Sequence, residues 1–350
     1  MTIKELKELA LYAAKNEAPA NYSVESVDAA LADGFKELAG NLNQFMKNRF
    51  DIYEIITETI DEIVPARVTD AIGIFADVRT VGHGQKAVFK QKIGKMRARK
   101  FLTQVGLSGV YETFRLDVKN FEVQPHAVGG GATIDFERLL DGSEVMSDLM
   151  EVLTDGMVDA VYLEVHKALK AAVDAIGATS TTNKIVANKF NSDAMFKLVR
   201  IVRSYGNGAV IFAPPEFIGD MGADAIVPVP TSGNYGGVYH PQDIDAIHNQ
   251  GYINIFRGTP IVMMPNNFTD ETNTKTWLSP QIAYVLPTGG DKVVKVVLEG
   301  NTQIYDWTNK DQSMEIMTYR KLGAAILAEY NWAAYKNTGI TDTQDDAYGF

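Results

Sequence analysis

Residues 143–176 read SEVMSDLMEVLTDGMVDAVYLEVHKALKAAVDAI and are followed by Gly177. The stretch holds no proline and ends on a glycine of the kind that closes helices, which predicts one helix on the order of 50 Å long at ~1.5 Å per residue. Few helices of globular proteins reach that length. At ~100° per residue, Glu144, Asp148, Glu151, Asp155 and Asp159 fall within an arc of roughly 80°, while Val145, Met146, Leu149, Leu153, Met157 and Val161 cover much of the remainder. The segment predicts a mostly buried rod with one narrow acidic stripe. Lys167 and Lys170 stand in its last turns, the polarity that the helix macrodipole favours. Carboxylates on one straight face do not wrap a hard cation, so a solvated or interface face is the better reading of the stripe.

Upstream, the texture from Asp77 to Gln124 is that of strands. Phe114, Leu116 and Val118 alternate with Thr113, Arg115, Asp117 and Lys119, the period of a sheet with one buried face. Ala87 to Gln91 can pair with that run, and glycines at 82, 84, 94, 106 and 109 supply turns, which predicts a long hairpin. Arg79, Lys86, Lys90, Lys92, Lys95, Arg97, Arg99 and Lys100 make it basic, with no Asp or Glu between 79 and 100. Gly129, Gly130 and Gly131 then predict a hinge or tight turn. Residues 1–64 read as helix: Val24, Val27, Leu31, Phe35, Leu38, Leu42 and Phe45 lay an apolar stripe along a helix that Ser23 would cap, and the helical reading should stop at Pro65. Such helices either pack on the core of their own subunit or form an arm that reaches a neighbour.

Downstream of the rod, Asn191 to Ser204 predicts a helix with Met195, Phe196, Leu198, Val199 and Val202 on its apolar face. Ala209 to Ala213, closed by Pro214 and Pro215, predicts a short buried strand, and Tyr252–Phe256, Ile261–Met264 and Ile282–Leu286 add strands to the same α/β module. Residues 222–241, rich in Gly, Pro and Tyr, predict an ordered loop. Val293–Leu298 and Gln303–Trp307 read as strands joined by a hairpin turn at Gly300 and Asn301, followed by Met314–Leu327. The tail from Glu329 to Phe350 is polar and reads as weakly structured.

Composition narrows the function. The 350 residues have room for two or three modules, and the formal net charge of −11 disfavours salt-driven binding of nucleic acid by the bulk surface. There is no cysteine, which removes disulfides, thiolate metal sites and a Cys nucleophile together. No apolar run is long enough for a membrane helix, and the first residues lack a signal-type stretch, so the sequence predicts a cytoplasmic chain without a membrane partner. His83, His126, His166, His240 and His248 include no pair at helical ligand spacing, and phosphate-loop, dinucleotide and nucleophile-elbow motifs are missing. No catalytic, cofactor or metal residue is predicted. As a nucleic-acid arm the basic hairpin would need aromatic partners, and Phe89 and Phe101 alone sit among its charges. As an interaction arm it has a counterpart: Lys86, Lys90, Lys92, Lys95, Arg97, Arg99 and Lys100 on one copy would attract the Glu144–Asp159 stripe of another.

The order of these parts resembles the major capsid protein family of tailed bacteriophages, the Hong Kong 97-like fold. The resemblance covers nearly the whole chain and is most specific from GYINIFRGTPIVMMPN (251–266) through GGDKVVKVVLEGNTQIYDWTNKDQSMEIMTYRKLGAAIL (289–327). It implies an α+β fold divided into an N-terminal helical arm (1–76), an extended hairpin loop (77–124), a peripheral domain with a spine helix (125–190), an axial domain (191–288), peripheral return strands (289–328) and a C-terminal tail (329–350). It also implies a subunit of hexamers and pentamers forming an icosahedral shell around double-stranded DNA without sequence-specific binding, in a virion assembled in the bacterial cytoplasm, with scaffold, portal and decoration proteins as possible partners. One rival is an encapsulin-like nanocompartment shell of the same fold. The other is a metabolic α/β enzyme using 222–241 as a substrate lid, with Asp224, His240 or Asp243 as acid–base groups.

Overall fold

The structure, a computed structural model, describes residues 2–15, 17–19, 22–73, 75–91, 119–134, 146–176, 179, 181–205, 208–222, 229–231, 234–238, 253–288, 292–308, 314–327 and 331–345. Its helices are α1 (Ile3–Lys15), α2 (Val24–Ala39), α3 (Leu42–Ile72), α4 (Met146–Ala175), α5 (Ser192–Tyr205) and α6 (Pro215–Met221). Its strands are β1 (Ala76–Val81), β2 (Val88–Gln91), β3 (Lys119–Glu122), β4 (His126–Ile134), β5 (Lys184–Ala187), β6 (Ala209–Ala213), β7 (Val229–Thr231), β8 (Asn234–Val238), β9 (Ile255–Phe256), β10 (Thr259–Met263), β11 (Ile282–Pro287), β12 (Val294–Thr308), β13 (Met314–Ile326) and β14 (Ala333–Asn337).

The rod predicted from the sequence is α4. Leu153, Met157, Val161, Val165, Leu169 and Val173 recur every fourth residue and are all buried, so one face of the helix lies in the main core. Leu6 and Ala10 of α1, Leu31 and Phe35 of α2, and Ile52, Ile56 and Ile60 of α3 enter the same core. The N-terminal helices therefore pack on their own subunit, which decides between the two readings of that region. Ser23 caps α2 in a capping box, accepting the Ser26 N–H while the Ser26 hydroxyl accepts the Ser23 N–H. The apolar stripe that reads as one helix through Phe45 is cut at Gly40, where Asn41 caps α3 by accepting the Gln44 N–H at 2.8 Å.

Pro65 does not end α3, contrary to expectation; the helix runs on to Ile72. A proline inside a helix costs about 3 kcal/mol. Val64, Val68 and Ile72 around it are buried in the main core, and at about 1.5–3 kcal/mol for each fully buried side chain their burial outweighs that cost.

Two sheets carry the rest. The six-stranded one has the order β5-β14-β11-β6-β10-β9 and mixes parallel and antiparallel pairs. Its two faces enter different cores: Val210, Phe212, Ile282, Tyr284, Leu286 and Ala334 turn toward the α4 core, while Ile211, Ala213, Ala283, Val285, Ala333 and Tyr335 turn toward α5 and α6. This is why β6 and β11 read as continuous apolar runs. The tail, expected to be weakly structured, instead supplies a strand: β14, preceded by buried Trp332, lies between β5 and β11, one strand in from the edge of this sheet. The polar composition of 329–350 as a whole hides the short run WAAY.

The four-stranded sheet has the order β1-β12-β13-β4. The hairpin turn expected at Gly300 and Asn301 is instead a bulge within a single strand, β12, whose pairing with β13 shifts between Glu299 and Gln303. Gly300 there takes φ +70°, a conformation that glycine allows in both structures, so the residue type alone does not separate bulge from turn. Gly129, Gly130 and Gly131 form no hinge either; they lie in β4 opposite Tyr319, Thr318 and Met317. A Cβ on Gly129 would stand 2.2 Å from the Thr318 carbonyl oxygen and 2.6 Å from Tyr319 Cβ, so close approach of strands, not a turn, requires that glycine. β2 and β3 form the described root of the predicted hairpin, with Phe89 opposite Phe121; the alternating run 113–118 lies outside the described residues.

The two neighbouring glycines separate this explanation from general strand weakening. Gly129→Ala is expected to destabilise the subunit by about 1–3 kcal/mol through overpacking. Gly130→Ala, whose new methyl meets nothing within 4 Å, should leave urea-unfolding stability nearly unchanged or slightly raised.

Candidate functional site

The hairpin that should reach another molecule is rooted on the outward face of the four-stranded sheet. Ala87, Phe89 and Val123 pack there on Val297. Beside them lies Lys295, 1% exposed, whose Nζ is 3.1 Å from Asp77 Oδ2. Asp77 also pairs with Arg79 at 3.1 Å. The Arg79 guanidinium carbon is 4.4 Å from the centre of the Phe89 ring and Lys295 Nζ is 5.4 Å from it, so two cations stand close to one buried aromatic ring. Further along the face, Glu299 accepts the Gly84 N–H at 2.9 Å and pairs with Lys321 at 3.3 Å. Glu299 is held below its ordinary value, first by that backbone hydrogen bond, against the opposing effect of burial, and then by Lys321. Ionised anchors thus fasten both the strand entering the hairpin and the turn before β2.

The basic residues singled out in the sequence are only partly placed. Lys86 is exposed and bridges to Glu122 across the root at 2.7 Å, and Lys90 is exposed on β2. Lys92, Lys95, Arg97, Arg99 and Lys100 lie outside the described residues. Of the acidic stripe, Glu144 lies outside them, Asp148 falls in α4, and Glu151 is exposed. Asp155 pairs with Arg67 of α3, whose other terminal nitrogen donates to the Ala14 carbonyl at 2.7 Å, so one guanidinium clamps α1, α3 and α4. Asp159 is half-buried and its pKa is raised, by burial first and by the nearby Asp155 charge second. The C-terminal part of the stripe therefore serves the subunit itself.

Other charged groups escaped the sequence reading. Asp61 of α3 accepts both the backbone N–H and the hydroxyl of Thr302, at 2.8 and 2.7 Å, and lies 3.3 Å from the buried Arg320. This joins a helix to the β12 bulge. Lys184 of β5 is buried with its Nζ donating to the Val173 carbonyl at 2.8 Å, a cation on the last turn of α4, and burial lowers its pKa. Alternation in β12 and β13 places Lys295 and Arg320 on definite faces, but no local signal tells which buried partner waits there.

Among the described residues, no group of His, Asp and Glu could hold a metal ion, and no helix is long and apolar enough to cross a membrane. His166, buried in α4, is pushed down to about 4 by loss of solvent, and so stands neutral at ordinary pH. Of the Gly-rich stretch 222–241 only the small hairpin β7–β8 and Gly222 are described, and Asp224, His240 and Asp243 lie outside.

The fold is mixed α+β, with a long helix between a hairpin and late strands that return beside it. A family match spans residues 5–332, to the family described as "SPbeta prophage-derived putative capsid protein YonB". The chain belongs to this family, whose role is structural and not catalytic. No curated protein sequence matches it. Similar solved structures include the capsid of cyanophage P-SCSP1u, 14% identical, covering 76% of this chain and 87% of that one with a TM-score of 0.48. A structure from Microbacterium phage Oxtober96 is 8% identical over 76% and 90% of the two chains with a TM-score of 0.49. The virus-like particle of Pyrococcus furiosus is 10% identical over 80% and 99%, with a TM-score of 0.45.

The anchor at the hairpin root has a pH signature. Burial would raise the pKa of Asp77, but the hydrogen bond and charge of Lys295, with a smaller contribution from Arg79, hold it below the ordinary carboxylate value. A carboxyl lowered on folding adds stability that is complete above its unfolded pKa of about 4 and is lost as the pH falls through the folded value. Lys295→Met should cost about 1–3 kcal/mol near neutrality by leaving Asp77 without its main partner. The loss should shrink below pH ~4, where Asp77 is protonated in the unfolded chain. Urea unfolding across that range, compared with the unaltered chain, checks both signs.

Proposed function

We propose that this protein is a major capsid subunit that assembles through hexamers and pentamers into an icosahedral shell enclosing phage double-stranded DNA. The family match over residues 5–332 carries the reading. In it, residues 77–124 form the element that lies over a neighbouring subunit, α4 is the spine, and the six-stranded sheet belongs to the domain nearest the symmetry axes. Assembly takes place in the bacterial cytoplasm, and scaffold, portal and decoration proteins are the partners such a shell would take. The acidic balance of the chain, −11, suits a wall past which DNA must slide.

Register between neighbours comes from charge. Lys86, Lys90, Lys92, Lys95, Arg97, Arg99 and Lys100 of one subunit face the stripe Glu144, Asp148, Glu151, Asp155 and Asp159 of the next. Because Asp155 already pairs with Arg67 and Asp159 is half-buried, exposed Glu151 is, among the described side chains of the stripe, the one open to a neighbour. Each exposed pair adds only about 0–1 kcal/mol, so these contacts orient docking more than they hold it, and they weaken with salt.

Electron microscopy of the expressed chain is the direct test: closed particles are expected, and a persistent monomer at high concentration and moderate ionic strength would overturn the reading. Nuclease-protected DNA in particles from infected or induced cells is expected of a genome container; particles that hold a protein cargo and no nucleic acid would instead mark a nanocompartment. Reversing Lys90, Lys92, Lys95 and Arg97 together to Glu should abolish particles while leaving a folded subunit by circular dichroism, and normal particles from that variant would refute the docking role of the loop.

A further inference from the structure

The six-stranded sheet turns one face to the α4 core and the other to α5 and α6, so the solvent side of α5 lies away from the spine. That side is basic. At ~100° per residue, Phe196, Lys197, Arg200 and Arg203 share an arc of about 120° and all four are exposed. Met195, Leu198, Val199 and Val202 fill the buried face of the same helix. Residues 194–215 contain no Asp or Glu, and neither do residues 246–269. Among the described residues the acidic group on this face of α5 is Asp193, and it is already paired: Arg257, at the tip of the β9–β10 hairpin, holds it at 2.9 Å. Four cations therefore stand against one carboxylate in a chain whose formal net charge is −11.

We propose that this face, Lys197, Arg200 and Arg203 of α5 with Arg257 beside them, binds the phosphate backbone of double-stranded DNA without reading its sequence. Part of the cluster is held in place before anything binds. Arg203 donates through Nη2 to the Gly258 carbonyl at 2.7 Å and to the Thr259 hydroxyl at 2.9 Å. The Arg257 guanidinium lies over Phe196, its carbon 5.1 Å from the ring centre. Arg257 takes φ +44° and Gly258 φ +74°. Asn-Gly is the pair that such two-residue hairpin turns favour, so an arginine there is strained, and what the strain maintains is a guanidinium against α5. The chemistry of the cluster suits phosphate. Three of the four cations are arginines, whose planar fork matches a pair of phosphate oxygens. Along α5 they follow one another every ~4.5 Å, and a duplex offers a charge every ~1.7 Å, so the row meets phosphates in many registers and needs no base edge. The inference rests on the shell reading above, which supplies an enclosed polyanion, and adds to it the part of the subunit that touches that polyanion.

Full-length subunits kept unassembled by dilution should bind a short DNA duplex of arbitrary sequence in fluorescence anisotropy, with an affinity that falls linearly with salt on logarithmic axes. Lys197→Gln/Arg200→Gln changes two exposed side chains and keeps helix propensity, so circular dichroism should not change. Binding by that variant should weaken at least about fivefold at low salt, and the salt slope should shrink by about 2. Lys86→Gln/Lys90→Gln, on the hairpin root, should bind as the unaltered chain does. No binding by the unaltered chain, or an unchanged affinity and slope in the α5 variant, would overturn the proposal and leave the shell reading intact, because microscopy tests the shell separately. Loss of binding in the hairpin variant in place of the α5 variant would overturn it as well. Poly-glutamate that binds as tightly as the duplex would overturn it in favour of an acidic protein partner. If the chain makes no particles, the shell reading fails by itself, and the same anisotropy comparison still decides whether this face holds phosphate.

Discussion

The row Leu153, Met157, Val161, Val165, Leu169 and Val173 along one side of α4 is the surface on which the subunit is built. Three N-terminal helices, the inner face of the four-stranded sheet and one face of the six-stranded sheet all place apolar side chains in the core that this row enters. A helix of 30 residues gains little from intrinsic propensity compared with what it gains by burying such a stripe. The polar clamps then fix geometry at its two ends: Arg67 holds α1 and α3 to the first half, and Lys184 ties the last turn to β5.

Much of this was legible in the residues, for reasons that differ by element. The spacing along α4, the N-cap at Ser23 and the apolar runs of β6 and β11 are local signals, and local signals survive folding. The failures share a different cause. Pro65 reads as a stop because propensity is local, while the burial that carries α3 through it involves partners far away in the chain. Gly129 to Gly131 suggest a hinge or turn and Gly300 a hairpin turn because glycine marks unusual backbone without saying which kind: in β4 it permits close strand approach, and in β12 a bulge. The strand at 333–337 was hidden because its four-residue core WAAY is surrounded by polar sequence, and only the gap between β5 and β11 makes it a strand.

The candidate surfaces were legible in part. The excess of Lys and Arg over 79–100 and the acidic arc on the rod are visible in the sequence, and Lys86, Lys90 and Glu151 are exposed as an interaction surface requires. What charge patterning could not tell is how much of each cluster the subunit uses internally. Lys86 meets Glu122, and Asp155 meets Arg67. Lys295 and Arg320, the most buried of the basic groups in the return strands, belong to the anchors that hold the hairpin root and the bulge in place. They pass in the sequence for ordinary outward positions of amphipathic strands.

Because β12 and β13 run as single strands past the bulge, the parts of the sheet on either side of it form one plate. Tension applied along β12 or β13 would meet the backbone hydrogen bonds of their ladder in shear, so that they give way together instead of peeling one by one. The sheet is in this sense a tie bar, able to carry tension from one side of the subunit to the other while its fold stays intact.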